Sequence, residues 1–374
     1  MLNSQTSKHP VQSTEYGIPI RNVWHMLLYA WNELPLNAMH GWMMEEAERA
    51  PTLDTLLASV LIKLMQQRLR IGLGHDYVNE ERKFPGIHGR INFAESLKQR
   101  TLDEGQLICD FQGYSANSAK NRIIRSTLSR LLKVGRFGPN PASVKEVQQK
   151  LRGLIRDLDG IDFVELSPDL IRRQLLTRSG NDHDYRLMLS ICDLIVQRQM
   201  PGGSGGSATH LVPAIDRDAL VLHSIYERFV ANFYRTHLTG WSVAAQKRLE
   251  WHTKEANERL PLMVPDLILQ EATSNRLIVL DTKFTAHSLV ENQWGKPVFD
   301  SSHMYQLYAY LKSQEPVSEA HQNAVGILLY PTAQYKLSDQ IELQEHVMRF
   351  ESVDLAASWQ EIERQLIELV TPTF

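Results

Sequence analysis

Cysteine is scarce, with only Cys109 and Cys192 and no Cys-x-x-Cys pair. A disulfide framework and a zinc ribbon are excluded, and a reducing compartment fits. Neither sign of charge dominates: 40 Lys plus Arg stand against 43 Asp plus Glu, a net charge of -3. Any nucleic-acid surface must therefore be a local patch. No uncharged apolar run approaches the roughly 18–20 residues of a membrane span. The opening MLNSQTSKHPVQSTEYG is polar where a secretory signal needs an apolar stretch. The expected location is the cytoplasm. Also lacking are Gly-x-x-x-x-Gly-Lys-Ser/Thr, a dinucleotide fingerprint around Gly72 and Gly74, His-Glu-x-x-His and Gly-x-Ser-x-Gly. P-loop hydrolysis of nucleotides, zinc hydrolysis and serine-nucleophile chemistry have no support.

What is present is an ordinary globular composition, 22% charged and 43% hydrophobic over 374 residues. That length suits about two domains of mixed α/β structure. Trp24, Leu27, Leu28 and Trp31 fall at helical spacing and predict a buried face over 21–31. A second helix is expected over 53–69, and strands and turns over 77–93 around Pro85-Gly86 and His88-Gly89. From Lys120 to Arg156 there are ten Lys or Arg against one acid, Glu146. Such a basic stretch, including a helix over 121–133, is usually a solvated face, with phosphate or an acidic partner surface as the alternative. Residues 201–209 are Gly/Ser-rich and read as a flexible linker between a first region, 1–200, and a second, 210–374.

The second region reads as an ordered series. A helix over 218–237 precedes strands over 241–251, 262–270 and 276–284. A helix over 302–312, a strand over 325–330 stopped by Pro331, and a closing helix over 355–369 follow. The strands 262–270 and 276–284 form a hairpin whose turn is centred between Thr273 and Ser274, which sets Asp266 opposite Asp281. Asp281 and Lys283, two apart in a strand, share a face. Two facing carboxylates repel unless a cation sits between them, and hard oxygen ligands suit Mg²⁺, which keeps waters for a phosphate substrate. Lys283 beside it can orient the attacking water and offset charge developing on phosphate. The chemistry indicated is metal-assisted phosphodiester hydrolysis.

The Asp-Thr-Lys triplet has no weight alone, since about 1.6 Asp/Glu-x-Lys matches are expected by chance in such a composition. Its context carries it: the apolar run Leu277–Leu280 leads into Asp281, and Pro265-Asp266 opens the paired strand. Glu81-Arg82-Lys83, the other match, has no such partner acid and reads as a solvated turn. Glu227, on the preceding helix, is a weaker candidate third acid. Gln306 and Tyr310, at i and i+4, are candidates to hydrogen-bond phosphate or metal-bound water, with packing the better role for Tyr310.

At these residues the sequence resembles a PD-(D/E)xK nuclease, and over nearly its whole length the McrC subunits of McrBC modification-dependent restriction systems. The resemblance takes in RNVWHMLLYAW, PGIHGRINF, NRIIRSTL, MVPDLIL, LIVLDTKF, MYQLYAYL and GILLYP, in that order. It implies an N-terminal α+β partner-docking domain followed by a restriction-endonuclease-like αβββαβ domain, with Asp266 and Asp281 as metal ligands and Lys283 beside them. It further implies Mg²⁺ as cofactor and double-stranded DNA as substrate. The partner implied is a hexameric McrB-type AAA+ GTPase that recognises 5-methylcytosine and whose GTP hydrolysis the chain stimulates. A non-catalytic activator with a DNA-binding nuclease-like fold, and a stand-alone repair nuclease, are the alternatives.

Overall fold

The computed structural model describes residues 17–33, 40–177, 183–199, 214–253, 257–285, 289–291, 294–332 and 336–371. The Gly/Ser-rich stretch 201–209, expected as a linker, lies outside them. Two compact units are present, one of residues 51–200 and one of residues 1–50 with 201–374. The chain opens with α1 (Ile20–Ala30) and α2 (His40–Arg49). The unit 51–200 then holds α3 (Leu53–Ile71), β1 (Asp76–Phe84), β2 (Arg90–Ile91), α4 (Phe93–Lys98) and β3 (Leu107–Ser115), followed by α5 (Ala119–Val134), α6 (Pro141–Asp157), α7 (Pro168–Leu176) and α8 (His183–Gln199). The remainder comprises α9 (Ala214–His237), β4 (Trp241–Ala245), β5 (Leu267–Glu271), β6 (Leu277–Thr282), β7 (Leu289–Glu291), β8 (Pro297–Phe299) and α10 (Ser301–Gln314). It ends with α11 (Glu319–Gln322), β9 (Val325–Thr332), β10 (Ser338–Leu343), β11 (His346–Asp354) and α12 (Trp359–Val370).

The grouping of α1 differs from the expected division at residue 200. Its apolar face is buried as the periodicity predicts, but against the C-terminal part of the chain. Tyr29 packs edge-on to Phe229, and Asn22 donates from Nδ2 to the carbonyls of Leu355 (2.7 Å) and Ala357 (2.9 Å). Helical periodicity reports that a face is buried, and not by what.

In the unit 51–200, β3 lies between β1 and β2 in an antiparallel sheet flanked by helices. Two of the sequence motifs are structural here. Gly89 has φ +78°, and a Cβ on it would stand 2.5 Å from the Asp110 carbonyl oxygen, so His-Gly-Arg needs its glycine to let β2 approach β3. Asn121, fully buried, donates to the Gly74 and Ala116 carbonyls and accepts from the Tyr185 hydroxyl at 2.7 Å. Its three bonds fix the start of α5.

The other unit is built on a six-stranded sheet of order β10-β11-β9-β6-β5-β4, in which β9 runs parallel to both β6 and β11 and the other pairs are antiparallel. Every residue of β6 is buried, which is why Leu277–Leu280 reads as one apolar run. Leu277, Val279, Leu328 and Tyr330 pack with Leu307 and Leu311 of α10. Ile278, Leu280, Ile327 and Leu329 are equally buried on the opposite face. A Cβ on Gly326 would lie 2.8 Å from Leu311 Cδ1, so this glycine lets α10 settle close over β9.

Two strand expectations need correction. The strand expected over 241–251 ends at Ala245, because Gln246 turns into the left-handed region at φ 52°. Pro331 does not stop β9, which continues to Thr332. The proline lies past Leu329, where pairing with β6 has ended and only β11 continues, so its missing N–H breaks no bond to β6.

Candidate active site

The β5–β6 ladder pairs Leu267 with Leu280 and Ile268 with Val279, the register expected from the turn centre. One step further, Asp266 lies beside the end of β6. Its Oδ2 accepts from the Thr282 backbone N–H at 2.7 Å and from the Thr282 hydroxyl at 2.6 Å. Asp281, 2% exposed, is pushed up to about 6 by burial first and by the charge of Asp266 second, with Lys283 opposing both. Such a shift marks a carboxylate in a place short of positive charge.

Lys283 supplies part of that charge. Its Nζ is 2.6 Å from Asp281 Oδ2 and donates to Gln306 Oε1 at 2.7 Å. Its backbone N–H donates to the Leu329 carbonyl, extending the sheet past β6. Gln306 is held in turn, since its Nε2 donates to the Tyr310 hydroxyl at 2.7 Å and that hydroxyl donates to the Val264 carbonyl at 3.3 Å. Tyr310 thus combines the expected packing role, 4% exposed in the α10 cluster, with fixing which way the Gln306 amide faces. The structure brings Asp266, Asp281, Lys283 and Gln306 together at one end of the sheet.

Glu227 is joined to the site through Gln246. Its Oε1 accepts from Gln246 Nε2, which also donates to Asp266 Oδ1 at 3.1 Å. Burial, and then the charge of Asp266, raise its carboxyl above the usual range. Sequence reasoning missed Thr282 and Gln246, which lack any charge or motif that would single them out. It also missed His303, whose Nδ1 is 3.3 Å from the Tyr330 hydroxyl and whose pKa is lowered by burial and by Lys283.

The basic segment 120–156 is largely engaged within its own unit. Arg122 meets Asp162 and Asn117, Arg125 the Ile161 carbonyl and the Phe163 ring, Arg130 Gln199, Lys150 Glu146, and Lys120 is buried near Asp76. Five of the ten cations therefore make contacts within their own unit, Lys150 with Glu146 on an exposed helix face.

Among the described residues no group of three or more His, Cys, Asp or Glu side chains is gathered to hold a metal ion. The donors at the sheet end are two carboxylates, one buried and short of compensating charge. They fit a hard divalent cation that keeps several waters and offer none of the cysteine or histidine ligands of a structural zinc site.

The family model for the McrBC 5-methylcytosine restriction system component matches residues 4–331. The chain belongs to that family. The type IV methyl-directed restriction enzyme EcoKMcrBC of Escherichia coli K12 is 28% identical over 362 residues, 94% of this chain and 97% of the relative. A chain of the refined half-complex from a tetradecameric assembly of Thermococcus gammatolerans McrB AAA+ hexamers with bound McrC superposes with a TM-score of 0.50. At 14% identity, over 97% of this chain and 78% of that one, it shows a shared fold.

Proposed function

We propose that this McrBC-family chain is the DNA-cutting component of a type IV restriction system. It hydrolyses phosphodiester bonds of double-stranded DNA with Mg²⁺ held by Asp266 and Asp281. It works docked on an McrB-type AAA+ GTPase hexamer that recognises 5-methylcytosine, and it stimulates that partner's GTP hydrolysis. The observation that carries the reading is the buried Asp281 carboxylate, set between Asp266 and Lys283 at the open end of the central strands.

When bound, Mg²⁺ supplies a Lewis acid for the phosphate and lowers the pKa of a water ligand. The protein's own groups do the rest. Asp266 is clamped through one oxygen by Thr282, so its other oxygen is the one that would hold the cation. Lys283 donates one N–H to Gln306 and forms an ion pair with Asp281, which leaves an N–H for a phosphate oxygen or the attacking water. Gln306 accepts from Lys283 only because Tyr310 takes its amide nitrogen, so the α10 pair fixes the lysine's aim.

Docking on the partner is assigned to the N-terminal region. Within the unit 51–200, Ile87, Phe93, Leu97 and Leu102 are exposed along one stretch of chain, and Tyr77 and Tyr114 pair on the exposed side of β1 and β3. Exposed apolar and aromatic groups at this density support a protein-binding surface. Among the described residues no helix is long and apolar enough to cross a membrane.

The test is plasmid cleavage with Mg²⁺, with and without the partner and GTP, on methylated and unmethylated DNA, for wild type and Asp281→Ala. Cleavage that needs partner, GTP and Asp281 is expected. GTPase stimulation without cleavage under any condition would make the chain an activator only, and cleavage without partner would make it an autonomous nuclease.

A further inference from the structure

We propose that Gln246 is a positioning residue for the metal-binding carboxylate: its side-chain amide holds Asp266 from the open rim of the site, so that Asp266 presents a single lone pair to one divalent cation. The inference rests on the reading of Asp266 and Asp281 as metal ligands.

Four observations converge on Gln246. Its Nε2 donates both to Asp266 Oδ1, at 3.1 Å, and to Glu227 Oε1, and only the NH₂ end of an amide can face two carboxylate oxygens. Its backbone N–H donates to the Asp266 carbonyl at 3.0 Å, so main chain and side chain grip the same residue. Its backbone is left-handed, φ 52°, a conformation that Gly, Asn or Asp adopts far more readily than Gln. A backbone of that kind held on the rim of a site suggests that the side chain, and not the turn, dictates the residue. Finally, it lies one residue past β4 and in register directly opposite Asp266, the residue that precedes β5.

The lone pairs of Asp266 then count out. Both on Oδ2 are taken, by the Thr282 N–H and hydroxyl, and one on Oδ1 is taken by Gln246. One remains, so Asp266 binds a cation through a single oxygen. The same amide stands between Glu227 and Asp266, where its two N–H groups do for these carboxylates what a second cation would do. Glu227 is thereby an anchor for Gln246 and not a ligand. Loss of a group that orients a metal ligand weakens metal binding by about 10–100-fold.

Two variants of the full chain separate positioning from folding. Gln246→Gly removes the amide and tolerates the left-handed backbone, while Gln246→Glu keeps the shape but cannot donate. Mn²⁺ binding by the free chain, read by electron paramagnetic resonance without DNA or partner, is expected to weaken about 10–100-fold in both. The melting temperature of metal-free Gln246→Gly is expected not to fall below wild type. With partner and GTP, the Mg²⁺ midpoint for cleavage should rise by the same factor, and the deficit should be largely recovered at high Mg²⁺. Mn²⁺ binding within twofold of wild type in both variants would overturn the assignment of Gln246. Mn²⁺ binding that Asp281→Asn leaves unchanged would overturn the metal-site reading itself, and this inference with it.

Discussion

Thr282 donates its backbone N–H and its hydroxyl to the same oxygen of Asp266, at 2.7 and 2.6 Å. The middle residue of Asp-Thr-Lys is thus no spacer between the acid and the lysine, because it fixes the acid on the neighbouring strand. Thr282→Val keeps the shape of a 1% exposed side chain and the backbone bond, and removes only the hydroxyl donor. The expected result is a Mg²⁺ midpoint for DNA cleavage raised by about tenfold, the low end for a group orienting a ligand. Thr282→Ser, which restores the donor, should return it. A Mg²⁺ titration of plasmid cleavage reads both.

Asp281 carries a stability cost that can be measured apart from activity. Its pKa rises on folding from 3.8 to about 6, chiefly through burial. Over that window the folded chain holds the proton more tightly than the unfolded one, so stability falls as pH rises through it and stays lower above it. Removing the charge should therefore stabilise the metal-free chain at pH 7–8, by up to about 3 kcal/mol, since one pKa unit is worth 1.36 kcal/mol. Asp281→Asn is expected to abolish cleavage and raise the metal-free melting temperature together. A lower melting temperature at pH 8 would show that Asp281 is compensated in the fold without a cation.

The same shift sets a pH dependence for metal loading. A cation held by Asp281 as proposed would need its carboxylate ionised, so below about pH 6 it would have to displace a proton. The Mg²⁺ midpoint should be nearly level above pH 7 and rise about tenfold per unit as pH drops below 6, provided Asp281 is the titrating ligand. Mg²⁺ titrations at half-unit pH steps check this, with a flat midpoint down to pH 5 as the contrary result.

How much of this was legible in the sequence follows from where each signal resides. The Asp266–Asp281 register was readable because a short turn centred at Thr273 and Ser274 fixes every cross-strand pair, and the observed ladder has that register. The central strands were readable because burial on both faces leaves an unbroken apolar run. β10 was not, because Ser338–Leu343 is a mostly exposed edge strand whose only alternation is the short pair Ile341 and Leu343. The early end of β4 was not, because nothing in Ala-Ala-Gln-Lys announces a left-handed residue. The clamps on Asp266 by Thr282 and Gln246 join residues on different strands, and neutral side chains leave no trace of such pairing in composition or spacing.

The place of α1 is the sharpest departure from the sequence reading, and it yields a test that needs no activity. Asn22 is fully buried and donates to two carbonyls, those of Leu355 and Ala357, between β11 and α12. Asn22→Ala leaves both carbonyls without this donor, and buried acceptors stripped of their partner cost about 1–3 kcal/mol each. All seven tryptophans lie within residues 1–50 and 201–374, so tryptophan fluorescence reports on that unit alone. The urea midpoint by fluorescence should drop by the equivalent of about 2–3 kcal/mol in Asn22→Ala. An unmoved midpoint would mean that α1 does not hold the C-terminal unit together. The expected drop would mean that the unit holding Asp266 and Asp281 includes the first helix of the chain, so that a fragment beginning after residue 200 lacks part of its own core.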